Sequence, residues 1–338
     1  MKQIIITLAA SLTQLGFRCG MGSNMRKLCF SILLFALFVM ASVTAQAETK
    51  IGVAMSLFDD MWLTTLRLGM KSYAEKLGDV KLNFEDARGD VGRQQSQIQN
   101  FIASKVDGIL VATLVDPSAG PAISKAAQEA GIPLVFVNNA PANIDSLPKG
   151  QAFVGSDDLE AGRFQGETVC KLLGGKGKVL LMLGQLGTTG QRLRTQGVKD
   201  VFKREECKGM EIIQEQTADY MRLPAIDLMN NWLTAGFKFD AVIANNDEMA
   251  LGAIQSLKAN NIPMDKVVVA GVDGTQDALT AMKAGDLDIT VFQNGPGQGR
   301  LAIDVLLKLI KGETVDIKNF VPFELVTKEN LDKYLGAK

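Results

Sequence analysis

VIANNDEMALGAI (242–254) and VVVAGVDGT (267–275) decide the fold. A short apolar run leads into the polar part of each, Ala241 to Ala244 at the first and Val267 to Val272 at the second. Each run ends abruptly on polar side chains, Asn245-Asn246-Asp247 and Asp273. A helical pattern lies between them. Runs of this length, built from Val, Ile and small residues, suit strands buried on both faces of a parallel sheet.

The same alternation extends outward in both directions. Ile51 to Met55, Leu82 to Phe84, Gly108 to Ala112 and Leu134 to Val137 form one set of runs. Val179 to Leu183 and Ile212 to Gln214 join the two opening runs to form a second set. Amphipathic segments lie between them. From Leu63 to Leu77, for example, Leu66, Met70, Tyr73 and Leu77 recur at helical spacing. Alternating strands and helices imply right-handed βαβ units and an α/β fold. The set occurs twice, with a changeover near Phe153 to Asp158, so the expected architecture is two doubly wound parallel-sheet lobes.

Composition agrees with two globular units and excludes large classes of chemistry. A chain of 338 residues fits two domains, and with 47% hydrophobic and 22% charged residues it is not a disordered chain. There is no histidine. That removes Ser-His-Asp and Cys-His nucleophiles, histidine general bases and every histidine-ligated metal.

Residues 1–47 read as an address. Met25-Arg26-Lys27 is basic, Leu28 to Val43 is almost wholly apolar, and Ala45-Gln46-Ala47 supplies a small-residue cleavage site. A secretory signal is expected, with export to the periplasm and translation starting near Met25. The segment holds Lys2, Arg18, Arg26, Lys27 and no acid, so the remainder carries 32 basic against 37 acidic residues. A mildly acidic exported chain is a poor partner for nucleic acid. Cys170 and Cys207 remain beyond the signal, an even pair in an oxidising compartment, and a disulfide between them is expected.

In open parallel sheets a ligand lies beyond the carboxyl ends of the strands. Those positions here hold Ser56-Leu57-Phe58-Asp59-Asp60-Met61-Trp62, Asn138-Asn139, Asn245-Asn246-Asp247, Asp273 and Gln293. Carboxylates and amides read hydroxyl groups, and an aromatic face covers apolar C–H surface. The plainer reading is that Asn and Asp end strands because they cap helices and make turns. Other motifs fail. Gly184-x-x-Gly187-x-x-Gly190 lacks dinucleotide spacing, and Gly174-Gly175-Lys176-Gly177-Lys178 lacks the phosphate-loop pattern and reads as a surface turn. Ser146-Leu147-Pro148-Lys149 has a helix-breaking Pro inside a Ser-x-x-Lys match. Asp286 and Asp288 lack a calcium loop's Gly and Glu.

These strand-end segments resemble the ribose- and galactose-type periplasmic binding proteins that serve sugar ABC transporters. KIGVAMSLFDDMWL, VDGILVATLVDP, GIPLVFVNN, VIANNDEMALGAI, VVVAGVDGT and ITVFQN carry the resemblance, which spans 48–338. It implies a type I periplasmic binding protein fold, with two lobes joined by three crossovers near Ser156-Asp157, Gln293-Asn294 and Pro322-Phe323. The lobes would then be 48–155 with 294–322, and 156–293 with 323–338. It also implies the ligand set Ser56, Phe58, Asp60, Trp62, Asn138 and Asn139 from one lobe, and Arg194, Tyr220, Asn246, Asp273 and Gln293 from the other. Trp62 and Tyr220 would sandwich a sugar ring, and Arg194 would clamp hydroxyls. Asn138-Asn139 stands where ribose binders have Asp-Arg, and the galactose-type calcium loop has no counterpart, so the implied ligand need not be ribose or galactose. The SxFDDxxLTxLR style of the first segment resembles inositol- and rhizopine-binding members. The implied partners are a cyclitol or sugar, an inner-membrane permease and a chemoreceptor, with no cofactor, no metal and a monomeric chain. Two rival readings are a sugar-sensing repressor core, which would need a helix-turn-helix head before Lys50, and an exported carboxylate-based hydrolase. Asp59 and Asp60 are adjacent, so their side chains diverge and cannot flank a glycosidic bond by themselves.

Overall fold

The structure, a computed structural model, describes residues 48–336. The segment read as an export signal lies outside them. Among the described residues no helix is long and apolar enough to cross a membrane.

The first lobe runs β1 (Thr49–Met55), α1 (Met61–Leu77), β2 (Val80–Asp86), α2 (Val91–Ala103), β3 (Gly108–Ala112), α3 (Gly120–Ala130), β4 (Leu134–Val137) and β5 (Gln151–Gly155). These strands form a parallel sheet in the order β2-β1-β3-β4-β5, and β11 (Lys318–Phe320) extends it beside β5. The second lobe runs α4 (Asp158–Leu172), β6 (Lys176–Leu183), α5 (Thr189–Phe202), β7 (Gly209–Thr217), α6 (Arg222–Thr234), β8 (Ala241–Ala244), α7 (Asp247–Ala259), β9 (Val268–Ala270) and α8 (Gln276–Ala284). Its parallel sheet has the order β7-β6-β8-β9. Beside it, β10 (Thr290–Phe292) pairs antiparallel with β12 (Glu324–Val326), while α9 (Gly295–Ile310) returns to pack on α1.

The apolar runs have no polar alternation because both sheet faces are covered. In β3, Leu110 and Ala112 face a layer with Leu66, Met70, Ile303 and Leu306, while Ile109 and Val111 face Phe101, Ile123 and Phe136. In β8, Val242 and Ala244 join Met229, Trp232 and Met249, while Ala241 and Ile243 join Val198 and Val201. Successive residues point to opposite faces, so one short run serves two cores.

The chain passes between the sheets at 156–157, 293–294 and 321–323. Ser156 ties the first and third passages to α9. Its hydroxyl donates to the Val321 carbonyl at 2.6 Å and accepts from Gln298 Nε2 at 2.9 Å.

The sequence reading needs three adjustments. Gln151–Gly155 is a fifth buried strand in a stretch read only as a changeover. The run Val267 to Val272 is strand only over Val268–Ala270, because the chain turns through Gly271 into Asp273, whose φ is 127°. Cys170 and Cys207 both stand in helical sequence patterns, but only Cys170 is in a helix, α4, while Cys207 sits in a short 3-10 turn, Glu205–Cys207.

Cys170 and Cys207 are bonded, with Cα atoms 5.8 Å apart, as expected from their pairing. The bond closes a loop with a sequence separation of 37, which in the chain-entropy model stabilises by about 4 kcal/mol. Replacing both cysteines by serine should lower the unfolding free energy by roughly that amount in a urea titration. An unchanged midpoint and slope would contradict it.

Candidate functional site

Both sheets reverse their strand order, between β1 and β3 and between β6 and β8. Crevices open beyond the strand ends at such points. The segments following β1, β3 and β4 and those following β6 to β10 line one cavity of about 470 Å³. The structure brings Ser56, Asp60, Trp62, Asn138, Asn139, Arg194, Tyr220, Asn246, Asp273 and Gln293 to this cavity. Phe58 is not among the lining residues. Its ring lies 4.1 Å from the Arg67 guanidinium carbon and packs against the first-lobe core, a cation–π contact that holds it on the outer side.

The strand-end amides and carboxylates serve two purposes. Asp60 caps α1 by accepting from Leu63 N at 2.7 Å, and Asn246 caps α7 by accepting from Met249 N at 3.1 Å. Both also line the cavity, so the capping reading and the site reading hold together. Burial pushes the Asp60 carboxyl above its ordinary range, and the charge of Glu248 adds to the shift.

At the floor lies the Arg194 guanidinium, 5% exposed. Nε donates to Asp158 Oδ1 at 2.8 Å, Nη1 to the Asn245 carbonyl at 2.7 Å and Nη2 to Gln293 Oε1 at 3.3 Å. Asp273 Oδ1 lies 3.7 Å from Nη1. Burial works to lower the Arg194 pKa, but the two aspartates carry it upward. Burial likewise holds Asp158 and Asp273 above the usual carboxylate range, against the pull of Arg194. The 2.8 Å contact makes Asp158 the guanidinium's counter-ion, and the fork is fixed before any ligand arrives.

Two aromatic residues bound the cavity. Trp62 donates its indole N–H to the Gln293 carbonyl at 2.9 Å, tying the first lobe to a crossing segment. Tyr220 shares a 3.1 Å hydrogen bond with Thr188 Oγ1, and burial raises its phenol to about 12. Tyr220 accounts for two of the three glycines in the Gly184-x-x-Gly187-x-x-Gly190 motif, while Gly187 takes a positive φ of 89°. A Cβ on Gly184 would fall 2.0 Å from the Tyr220 ring, and one on Gly190 would fall 2.9 Å from its hydroxyl.

Backbone strain gathers at the same place. Thr113, Asn138, Asp219, Tyr220 and Asp273 all have positive φ, between 54° and 127°, and all line the cavity. Each such residue costs on the order of 1–3 kcal/mol and persists only where its surroundings fix it. Thr113, a β-branched residue at φ 66°, is held by its N–H on the Val137 carbonyl and its own carbonyl on Gln94 Nε2.

Sequence reasoning missed Asp158, Thr113, Gln185, Thr188 and Asp219, all of which line the cavity. Asp158 was findable. Reading Gln151–Gly155 as a strand would have made Asp157-Asp158 another polar strand end.

A model of the Periplasmic binding protein domain matches residues 51–314. The chain belongs to the periplasmic binding protein family. A "Putative rhizopine-binding protein" from Rhizobium meliloti is 54% identical over 305 residues, 90% of this chain and 98% of that protein. A xylitol-binding protein from Mycolicibacterium smegmatis is 33% identical over 85% of this chain and 80% of its own. The solved ABC transporter solute-binding protein from Bacillus halodurans C-125, with bound myo-inositol, is 40% identical with a TM-score of 0.80, covering 87% of this chain and 99% of that one. The family is one of transporter binding proteins and not of enzymes.

Two outcomes follow for this binding protein. Arg194→Ala leaves Asp158 and Asp273 buried without their counter-ion and should cost about 3–5 kcal/mol in a denaturant titration; a loss below 1 kcal/mol would contradict the pinned cluster. Asp247, fully buried behind Asp273, is raised by burial from 3.8 to about 7 despite donors from Thr290 and Thr275. The folded state therefore binds the proton more tightly than the unfolded chain, and stability from this group falls as pH rises from about 4 through 7. Asp247→Asn should flatten the melting temperature across that window, and an unchanged slope would contradict it.

Proposed function

We propose that this protein captures a cyclic polyol, an inositol-like cyclitol first and a pentose or hexose next, and delivers it to an ABC permease in the inner membrane. The observation that carries this reading is one cavity bounded by both lobes and lined by carboxylates, amides, a pinned guanidinium and two aromatic side chains. Such a lining suits neutral, hydroxyl-rich molecules. Asp273 and Asp60 accept from hydroxyls, Arg194 donates, and Trp62 and Tyr220 cover the ring faces. Asp60, Asp158, Asp219 and Asp273 outnumber the single Arg194, which disfavours anionic ligands such as sugar acids. The names and bound ligands of the relatives support a polyol, with myo-inositol a cyclic example and xylitol an open-chain one.

Contacts split between lobes imply capture by closure. A ligand touching both lobes favours the closed state and shifts the population toward it. The permease then reads the closed form. Export by the segment 1–47 places the protein in the periplasm, where the permease faces it.

Calorimetry against myo-inositol, xylitol, ribose, glucose and glucuronate tests the proposal. One ligand per chain is expected, tightest for the cyclitol, with no heat from glucuronate. Absence of binding to every neutral member would overturn it. Asp273→Asn should weaken the best ligand by about 10- to 100-fold, the worth of a charged hydrogen bond. Trp62 is 7% exposed and belongs to the first-lobe core, so alanine there would also open a hole in the packing. Trp62→Phe is the cleaner variant, losing the indole N–H while keeping a ring.

A further inference from the structure

We propose that Asn139 is a closure latch, a side chain that ties the two lobes across the cleft and sets how readily the protein closes over any ligand. The proposal rests on capture by closure, and it reassigns a residue expected to read hydroxyls.

Both ends of the Asn139 amide are engaged by protein. Nδ2 donates to the Leu114 carbonyl at 2.9 Å within the first lobe, which fixes the amide plane. Oδ1 then accepts from Thr189 N of the second lobe at 3.1 Å. Thr189 is the first residue of α5, so its N–H has no partner within that helix. The helix's positive end also favours a carbonyl oxygen there. A second bond reinforces the first, from Thr189 Oγ1 to the Ala140 carbonyl at 3.4 Å. Thr189 is not among the cavity-lining residues, so the second-lobe half of the tie lies outside the space a ligand would fill, while Asn139 borders that space.

A latch changes the closed fraction and not the fit. The apparent dissociation constant is the intrinsic one divided by that fraction, so losing the latch weakens every ligand by one common factor. Losing a hydroxyl reader would instead change the preference between ligands.

Thr189→Pro is the direct test. Proline is accepted at the first position of a helix. Thr188 is already extended, with φ −68° and ψ 153°, as a residue before proline must be. The substitution removes the N–H and the hydroxyl while leaving the cavity lining in place. Small-angle scattering of the ligand-free protein should show a larger radius of gyration than wild type. Calorimetry should show myo-inositol and xylitol weakened by the same factor, about three- to tenfold for one or two neutral hydrogen bonds. Asn139→Ala should reproduce both results, and it decides the matter if Thr189→Pro fails to fold. A folded Thr189→Pro with wild-type dimensions and affinities would overturn the latch. So would an Asn139→Ala that changes the ratio between the two ligands, which would make Asn139 a ligand contact. Scattering needs no ligand, so a panel in which nothing binds would count against the proposed function while the latch was still measured.

Discussion

One buried guanidinium organises the cleft. Arg194 projects from α5 and draws in the start of α4 through Asp158, the end of β8 through the Asn245 carbonyl, and the crossing segment through Gln293, with Asp273 at 3.7 Å. A charge so deep is costly unless it is paired and hydrogen-bonded. The second lobe meets that cost with Asp158 and polar atoms from three other segments. Gln293 accepts from Arg194 through its side chain and from Trp62 through its backbone, so the same network reaches the first lobe. The site is rigid because its most polar member cannot move without leaving carboxylates unpaired.

Strain and polarity share one address. Five of the cavity residues hold positive φ, and Asp60, Asp158 and Asp273 there are held above their usual range by burial. Neither feature helps the fold to form. Both are tolerated because the sheets behind them are covered on two faces and over-determine the strand ends. The Ser156 hydroxyl adds to this by tying two of the passages between the sheets to α9.

Much of this was legible in the residues. Runs such as Gly108–Ala112, Leu134–Val137 and Ala241–Ala244 match observed strands end to end, because a strand buried on both faces leaves no ambiguity of period. The strand-end rule brought eight residues to one cavity, and the family resemblance added Arg194 and Tyr220. What escaped was set by tertiary contact. Phe58 stands at the right place in sequence, but Arg67 holds its ring. Asp158 follows a strand, Gln151–Gly155, that the sequence reading gives only as a changeover. The partner of Asn139 Oδ1, Thr189 N, lies 50 residues along the chain, beyond the reach of local pattern. The glycines at 184 and 190 carried no readable purpose without the Tyr220 ring that fills their space.

The most direct test is the structure of the protein with myo-inositol bound. The account predicts the ring in the interlobe cavity between Trp62 and Tyr220, with hydroxyls on Asp60, Arg194 and Asp273. A ring seated elsewhere, or one in the cavity that touches a single lobe, would contradict it.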